Sequence, residues 1–128
     1  MNDKYKITEM SIVNNKLVLK LKNINLSIYC DVDVCLKNIK TKEIFTADSF
    51  LGEDKILINL DSVRDLCTDN EYNLMINFQN EHNKEGLSTI ISSELLESKD
   101  LDKLDLHSLG WFLRIADKNT PLLSSIRN

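Results

Sequence analysis

The stretch Ile28-Tyr29-Cys30-Asp31-Val32-Asp33-Val34-Cys35-Leu36 decides the fold class, because apolar and polar side chains alternate along it with a period of two. The apolar parity contains Ile28, Cys30, Val32, Val34 and Leu36. The other parity contains Tyr29, Asp31, Asp33 and Cys35. Only a β-strand places successive side chains on opposite faces. The pattern therefore predicts a strand with one face in a core and the other in water.

Six further segments carry strand patterns, with turn residues between them. The predicted strands are 7–13, 17–22, 28–36, 43–47, 56–60, 72–78 and 87–91. Asn14-Asn15 is the predicted first hairpin turn, since Asn tolerates the positive φ of tight turns. We predict a loop over 48–54, and a short helix capped by Asp61 or Ser62. Seven short strands at this spacing predict a mainly β fold: an antiparallel seven-stranded sandwich of immunoglobulin or fibronectin-III type.

The C-terminal part has a different pattern. From Ser93 the alternation stops, and leucines appear among acids and lysines, which suits one or two short helices ending near Gly110. The apolar cluster Trp111–Ile115 then follows and could form a strand. We predict a β-sandwich domain over residues 1–92 and a helical or irregular C-terminal arm over 93–128. The arm is either packed on the sandwich or the start of a following domain.

Length, charge and cysteine content limit the class of protein. The chain has 128 residues, 42% of them hydrophobic, and a formal net charge of −4. A single domain of this size can fold without disulfide or metal crosslinks. The sequence contains no basic patch for nucleic acid, no apolar run that could span a membrane and no secretory signal, so we expect a cytoplasmic protein. Three cysteines favour a reducing compartment, with Cys30 and Cys67 buried and Cys35 half-exposed.

No catalytic or metal-binding pattern stands out. His82 and His107 are isolated, and the three glycines are scattered singly. We therefore expect no cofactor and no enzymatic activity of this chain.

The candidate binding residues are strand carboxylates and aromatic side chains. They are Tyr29, Asp31, Asp33, Trp111 and Phe112. The two carboxylates lie about 7 Å apart on one strand face, where they can bind a ligand or remain solvated. Flat aromatic rings suit sugar stacking, and packing in a core or interface is the alternative for Trp111 and Phe112.

Two stretches, 7–21 and 34–44, resemble accessory β-sandwich domains of bacterial cell-envelope polymer transferases of the teichoic-acid type. The shared features are an alternating strand opening and a charged turn, here Asn38-Ile39-Lys40-Thr41-Lys42-Glu43. Segments 60–66 and 71–74 are similar to the strand–helix–strand passage of those domains, so the resemblance covers about residues 7–91. It implies a non-catalytic module that assists substrate binding or assembly.

These observations predict a non-catalytic binding or assembly module, and the resemblance implies that it is an accessory domain of a cell-envelope glycopolymer transferase. We expect a protein partner or self-association, because exposed sheet edges can pair with another chain. A glycan is a further candidate ligand. Two alternatives stay open: a small immunity-type or regulatory protein that binds one partner through its acidic C-terminal half, and a carbohydrate-binding protein or small enzyme whose site is not visible in the sequence.

Overall fold

The computed structural model describes residues 6–22, 26–66, 70–79, 84–88 and 90–126, with the backbone alone for 84–88. Within these ranges the chain forms ten strands and one α-helix. The strands are β1 (Lys6–Val13), β2 (Lys16–Lys22), β3 (Asp31–Asn38), β4 (Ile44–Leu51), β5 (Lys55–Asn59), β6 (Glu71–Gln79), β7 (Lys84–Ser88), β8 (Ile90–Ile91), β9 (Trp111–Ile115) and β10 (Pro121–Ser125). The helix α1 is Ser93–Ser98. Short 3₁₀ turns occupy Leu26–Ile28, Leu60–Val63, Asp100–Lys103, Leu106–Leu109 and Asp117–Asn119.

A single curled sheet joins these strands. Its order is β8-β1-β2-β5-β4-β3-β6-β10-β9, and β7 pairs with β6 as well. β4 belongs to both halves of the sheet, because residues 44–47 pair with β3 and residues 48–51 pair with β5. We call β8, β1, β2 and β5 half A, and β3, β6, β7, β10 and β9 half B. A strand that changes partners in this way makes a corner. Both halves therefore bury one face in the same core.

The predicted alternation accounts for this core. Every second residue of β3 and β6 is buried: Val32, Val34, Leu36, Tyr72, Leu74, Ile76 and Phe78. Half A adds Ile7, Met10, Leu17, Leu19, Ile56 and Ile58. The mainly β fold class is thus confirmed.

The prediction of seven antiparallel strands is wrong in number and in direction. The predicted strand 87–91 is divided, since β7 pairs with β6 while β8 pairs with β1. β8 runs parallel to β1, with Lys6 opposite Ile90. β10 was not predicted because its first three residues are all buried, so no alternation marks it.

Several local predictions are wrong for tertiary reasons. The strand predicted from residue 28 begins at Asp31, so Ile28 lies in a 3₁₀ turn and Cys30 is exposed. Cys35 faces outward as predicted but is buried, because its Sγ lies 3.5 Å from Asn77 Nδ2 and 4.0 Å from Thr46 Oγ1. The predicted loop 48–54 starts only after Leu51, since β5 extends the pairing of β4.

The turn and cap predictions are partly confirmed. Asn14 and Asn15 have φ values of 52° and 62°, and Gly110 ends a 3₁₀ turn at φ 84°. The turn after β5 is capped by Asn59, whose side chain accepts the N–H of Asp61, rather than by Asp61 or Ser62. The predictions for Cys67 and His82 lie outside the described residues.

The C-terminal segment contributes to the same core. β10 pairs with β6, and the core cluster includes Leu95, Leu106, Leu109, Trp111 and Leu123. Ser92 caps α1, its Oγ accepting the N–H of Leu95 at 3.1 Å. Residues 93–109 contact β1 through α1 and β9 through the 106–109 turn. Whether residues 1–92 fold as a separate domain stays a prediction.

None of the helices in the described ranges has the length and apolar character needed to cross a bilayer.

Candidate binding surfaces

The predicted carboxylates lie on the outward face of half B. Asp31 is opposite Gln79 and Asp33 is opposite Asn77, so two carboxylates and two amides share one corner of the sheet. Asp31 is exposed and its Oδ1 accepts the N–H of Val32 at 2.8 Å, while Asp33 is half-buried. That these residues bind a ligand stays a prediction.

The other end of the same face is basic. Lys37 lies opposite Asn73, and the turn after β3 adds Lys40 and Lys42. Asn38 fixes this turn, because its buried Oδ1 accepts the N–H of Lys40 at 2.8 Å and of Thr41 at 3.1 Å. We call the outward side chains of β3 and β6 the β3–β6 face. Its members are Asp31, Asp33, Cys35, Lys37, Glu71, Asn73, Met75, Asn77 and Gln79.

The three aromatic candidates do not meet on one surface. The Tyr29 ring lies 4.9 Å from that of Phe78 and packs against the core. Trp111 is fully buried, with its ring 6.2 Å from that of Tyr72. Phe112 is the next residue on the strand, so it faces the opposite way and is 45% exposed. The structure therefore does not place these three rings together with Asp31 and Asp33 on one binding surface.

A groove of approximately 730 Å³ follows the edge of β1, and no sequence pattern predicted it. One wall is β1 itself, and the other is the C-terminal segment between residues 95 and 108. Apolar side chains line part of the groove: Met10, Ile12, Val18, Leu95 and Leu104. An edge strand cannot be recognised in sequence, because it carries the same alternation as a paired strand.

The backbone of β1 is open toward this groove. Within the described ranges, β8 pairs with β1 only at Lys6 and Ile7. The two-residue hairpin makes Val13 and Lys16 the closing hydrogen-bonded pair of β1 and β2. Hydrogen-bonded pairs alternate along an antiparallel ladder, so the N–H and C=O groups of Met10 and Ile12 point away from β2. The groove therefore offers an unpaired strand edge to another chain.

Charged side chains surround the groove in both signs. Lys20 forms an ion pair with Glu9, with 3.2 Å between Nζ and Oε2. The pKa of Lys20 is raised, first by its hydrogen bond to Glu9 and then by the negative charges of Glu9 and Asp54. Lys55 lies directly opposite Lys20 on β5. The edge of β1 is consequently flanked by both positively and negatively charged side chains.

A second cavity of approximately 320 Å³ lies between the C-terminal segment and β9. Its lining is mostly apolar and includes Leu101, Leu106 and Leu113. His107 is exposed at this cavity, and its ring lies 5.7 Å from that of Phe112. His107 is thus a surface residue beside the exposed ring of Phe112.

An ion pair fixes β9 to β6 across the intervening strand β10. Arg114 donates from Nε to Glu71 Oε2 at 2.6 Å and from Nη2 to Oε1 at 2.7 Å. This bidentate contact lowers the pKa of Glu71 and raises that of Arg114. The negative charge of Glu71 is therefore compensated by the positive charge of Arg114 on the outward face of half B.

The described residues contain no group of three or more His, Cys, Asp or Glu side chains that could hold a metal ion.

Comparison with known proteins shows the fold alone. No protein-family model and no curated protein sequence matches this chain. Among solved structures, the chain is similar in fold to part of a longer chain. That structure is the Staphylococcus aureus TarS fragment 217–571, with a TM-score of 0.59 and 14% sequence identity. The match covers 100% of this chain and 40% of the TarS fragment, so the chain spans about two fifths of its length.

Proposed function

We propose that this chain is a non-catalytic assembly module of a cell-envelope glycopolymer transferase. The observation that carries the proposal is the likeness of the whole chain to part of the TarS fragment. The class of protein comes from the sequence resemblance described above, which implies accessory domains of cell-envelope polymer transferases. The likeness extends over the C-terminal segment as well as the region where the sequence resemblance lies.

The surface through which the module acts is the open edge of β1. Strand addition to such an edge gives affinity through backbone hydrogen bonds, and side-chain pockets give specificity. Met10 and Ile12 supply the free backbone groups, and Leu95 and Leu104 supply the apolar lining. The occupant is an extended segment of the transferase, with apolar residues alternating so that they reach this lining.

Reconstitution with a teichoic-acid-type transferase from the same source tests the proposal. We expect a complex whose mass is measured by light scattering, and a transfer rate that changes when this chain is added. Ile12→Pro removes an edge N–H without removing a hydrogen bond of the β1–β2 ladder, because Pro has no N–H to donate. It should abolish the complex. Ile12→Ala, which removes side-chain volume but keeps the N–H, is the matched control and should retain it.

Two results would overturn the proposal. One is transfer of sugar or polyol phosphate from a nucleotide donor by this chain alone. The other is the absence of both complex and rate change with the wild-type chain. Equal loss of the complex in the proline and alanine variants would show that the transferase does not dock on the backbone edge of β1.

A further inference from the structure

A short segment after α1 separates the groove on β1 from the second cavity beside β9. We call residues 99–104 the strap. Asp100 and Lys103 line the groove, and Leu101 lines the second cavity. Leu104 lines both. The strap is therefore the wall that the groove of approximately 730 Å³ shares with the second cavity of approximately 320 Å³.

The strap is anchored at its two ends and not along its length. Leu95 before it and Leu106 after it are buried in the core, whereas none of residues 99–104 is buried. Lys99 joins the strap to α1 in the left-handed conformation, with φ 65°, which is unfavourable for a residue that has a Cβ atom. A change of backbone angle at this joint therefore costs little.

The hydrogen bonds of the strap are local. The N–H groups of Asp102 and Leu104 donate at 3.1 Å to the carbonyl oxygens of Lys99 and Leu101. Within the described part of the chain, no hydrogen bond or ion pair joins the strap to β1 or β9. Leu101 and Leu104 contact the core as half-buried side chains. Segments with so few buried contacts open locally at a free energy well below that of global unfolding.

We propose that the strap is a movable wall that couples the groove on β1 to the second cavity. Because space lies on both sides of the strap, a movement that narrows one space widens the other. A molecule bound in one space then changes the affinity of the other, and this effect is reciprocal. The inference rests on the proposed function for the occupant of the groove, and it adds a means of regulating that site.

Filling the two spaces tests the wall in the unbound chain. Ile12 lines the groove and Ile115 lines the second cavity, so Ile12→Phe and Ile115→Phe enlarge side chains on opposite sides of the strap. Each single variant should be tolerated, since the strap can move toward the side that is not filled. The double variant leaves no room for that movement. Its urea midpoint should fall below the value expected from the sum of the single losses by at least about 0.5 M.

A matched control uses the same replacement elsewhere. Ile44 is exposed on β4 and lines neither space, so Ile44→Phe combined with Ile12→Phe should give additive losses. Additive losses in the Ile12→Phe and Ile115→Phe pair overturn the proposal. Equal non-additivity in the pair that contains Ile44→Phe also overturns it.

Hydrogen exchange of the wild-type chain measures the strap without any substitution. The N–H of Ser92, a buried residue, donates to the carbonyl oxygen of Ile7 at 2.9 Å. The protection factors of the Asp102 and Leu104 amides should be at least about 100-fold smaller than that of Ser92. Equal protection of all three amides overturns the proposal, because the strap would then open only with the whole domain.

The complex with the transferase separates this inference from the proposed function. Ile115→Phe pushes the strap toward β1, so it should weaken the complex at least about tenfold, whereas Ile44→Phe should leave it unchanged. An unchanged complex in the Ile115→Phe variant overturns the coupling. If the wild-type chain forms no complex, the proposed function fails, and the paired variants and the exchange rates still decide whether the wall moves.

Discussion

Replacing Trp111 tests whether the C-terminal segment is part of the core on which the fold depends. Its side chain is fully buried, and its ring meets that of Tyr72 edge to face. A buried tryptophan removes up to about 250 Å² from water. At about 25 cal/mol per Å² this is worth about 6 kcal/mol as an upper bound. Partial collapse around the cavity reduces the expected loss for Trp111→Ala to about 3–5 kcal/mol.

The adjacent residue supplies the control. Phe112 is 45% exposed on the opposite face, so Phe112→Ala should cost about 1–2 kcal/mol. Trp111→Phe keeps most of the apolar volume and removes an indole N–H that has no partner among the described residues. It should cost less than about 1.5 kcal/mol, because the unsatisfied donor disappears with the lost volume.

Urea unfolding followed by far-UV circular dichroism measures these differences, since Trp111 is the chain's one tryptophan and its fluorescence is lost in two of the variants. With a slope of about 2 kcal/mol per M, a loss of about 4 kcal/mol moves the midpoint by about 2 M. The reasoning is refuted if Trp111→Ala destabilises the protein no more than Phe112→Ala does. That result would mean that the 93–126 segment is dispensable for the core.

Other residues give independent predictions. Asn38→Ala should lower the free energy of unfolding by about 1–3 kcal/mol, because two backbone N–H groups lose their acceptor. Glu71→Gln should lose stability at neutral pH only: Arg114 lowers the pKa of Glu71, so this contribution is present above the ordinary carboxyl pKa and disappears as pH falls through the folded-state value. Gly110→Ala should cost about 1 kcal/mol in thermal unfolding, because φ is 84° there. Asn15→Gly, at φ 62°, should raise the melting temperature, since glycine is favoured in this turn.

Each of these predictions has a contrary outcome. If the Asn38→Ala variant is as stable as the wild type, water replaces Asn38 as the acceptor of the two N–H groups with no loss of folding free energy. A constant stability difference between Glu71→Gln and the wild type from neutral to acid pH would exclude the ionised pair as its cause. Stabilisation by Gly110→Ala, or destabilisation by Asn15→Gly, would show that the backbone angles at these two positions differ from those described.

Most of the β structure could be predicted because the core selects alternate residues within each strand. Val32, Val34 and Leu36 are buried as the period of two requires, and so are Leu74 and Ile76. The candidate site was less predictable. Asp31 and Asp33 face outward as expected, but their amide neighbours come from β6, which is distant in sequence. Trp111 and Phe112 differ in burial because one face of β9 lies on the core, where Trp111 meets Tyr72, and their own sequence does not show this.

The sequence by itself determined which segments form the principal strands, which of their faces is apolar and where the Asn14-Asn15 turn reverses the chain. These properties depend on side-chain periodicity and local backbone preference, which neighbouring residues set. Only the tertiary structure decided that β4 serves both halves, that β8 runs parallel to β1 and that β1 keeps an open edge. Strand pairing depends on which distant segments together bury the most apolar surface. Residues far apart in sequence therefore determine it.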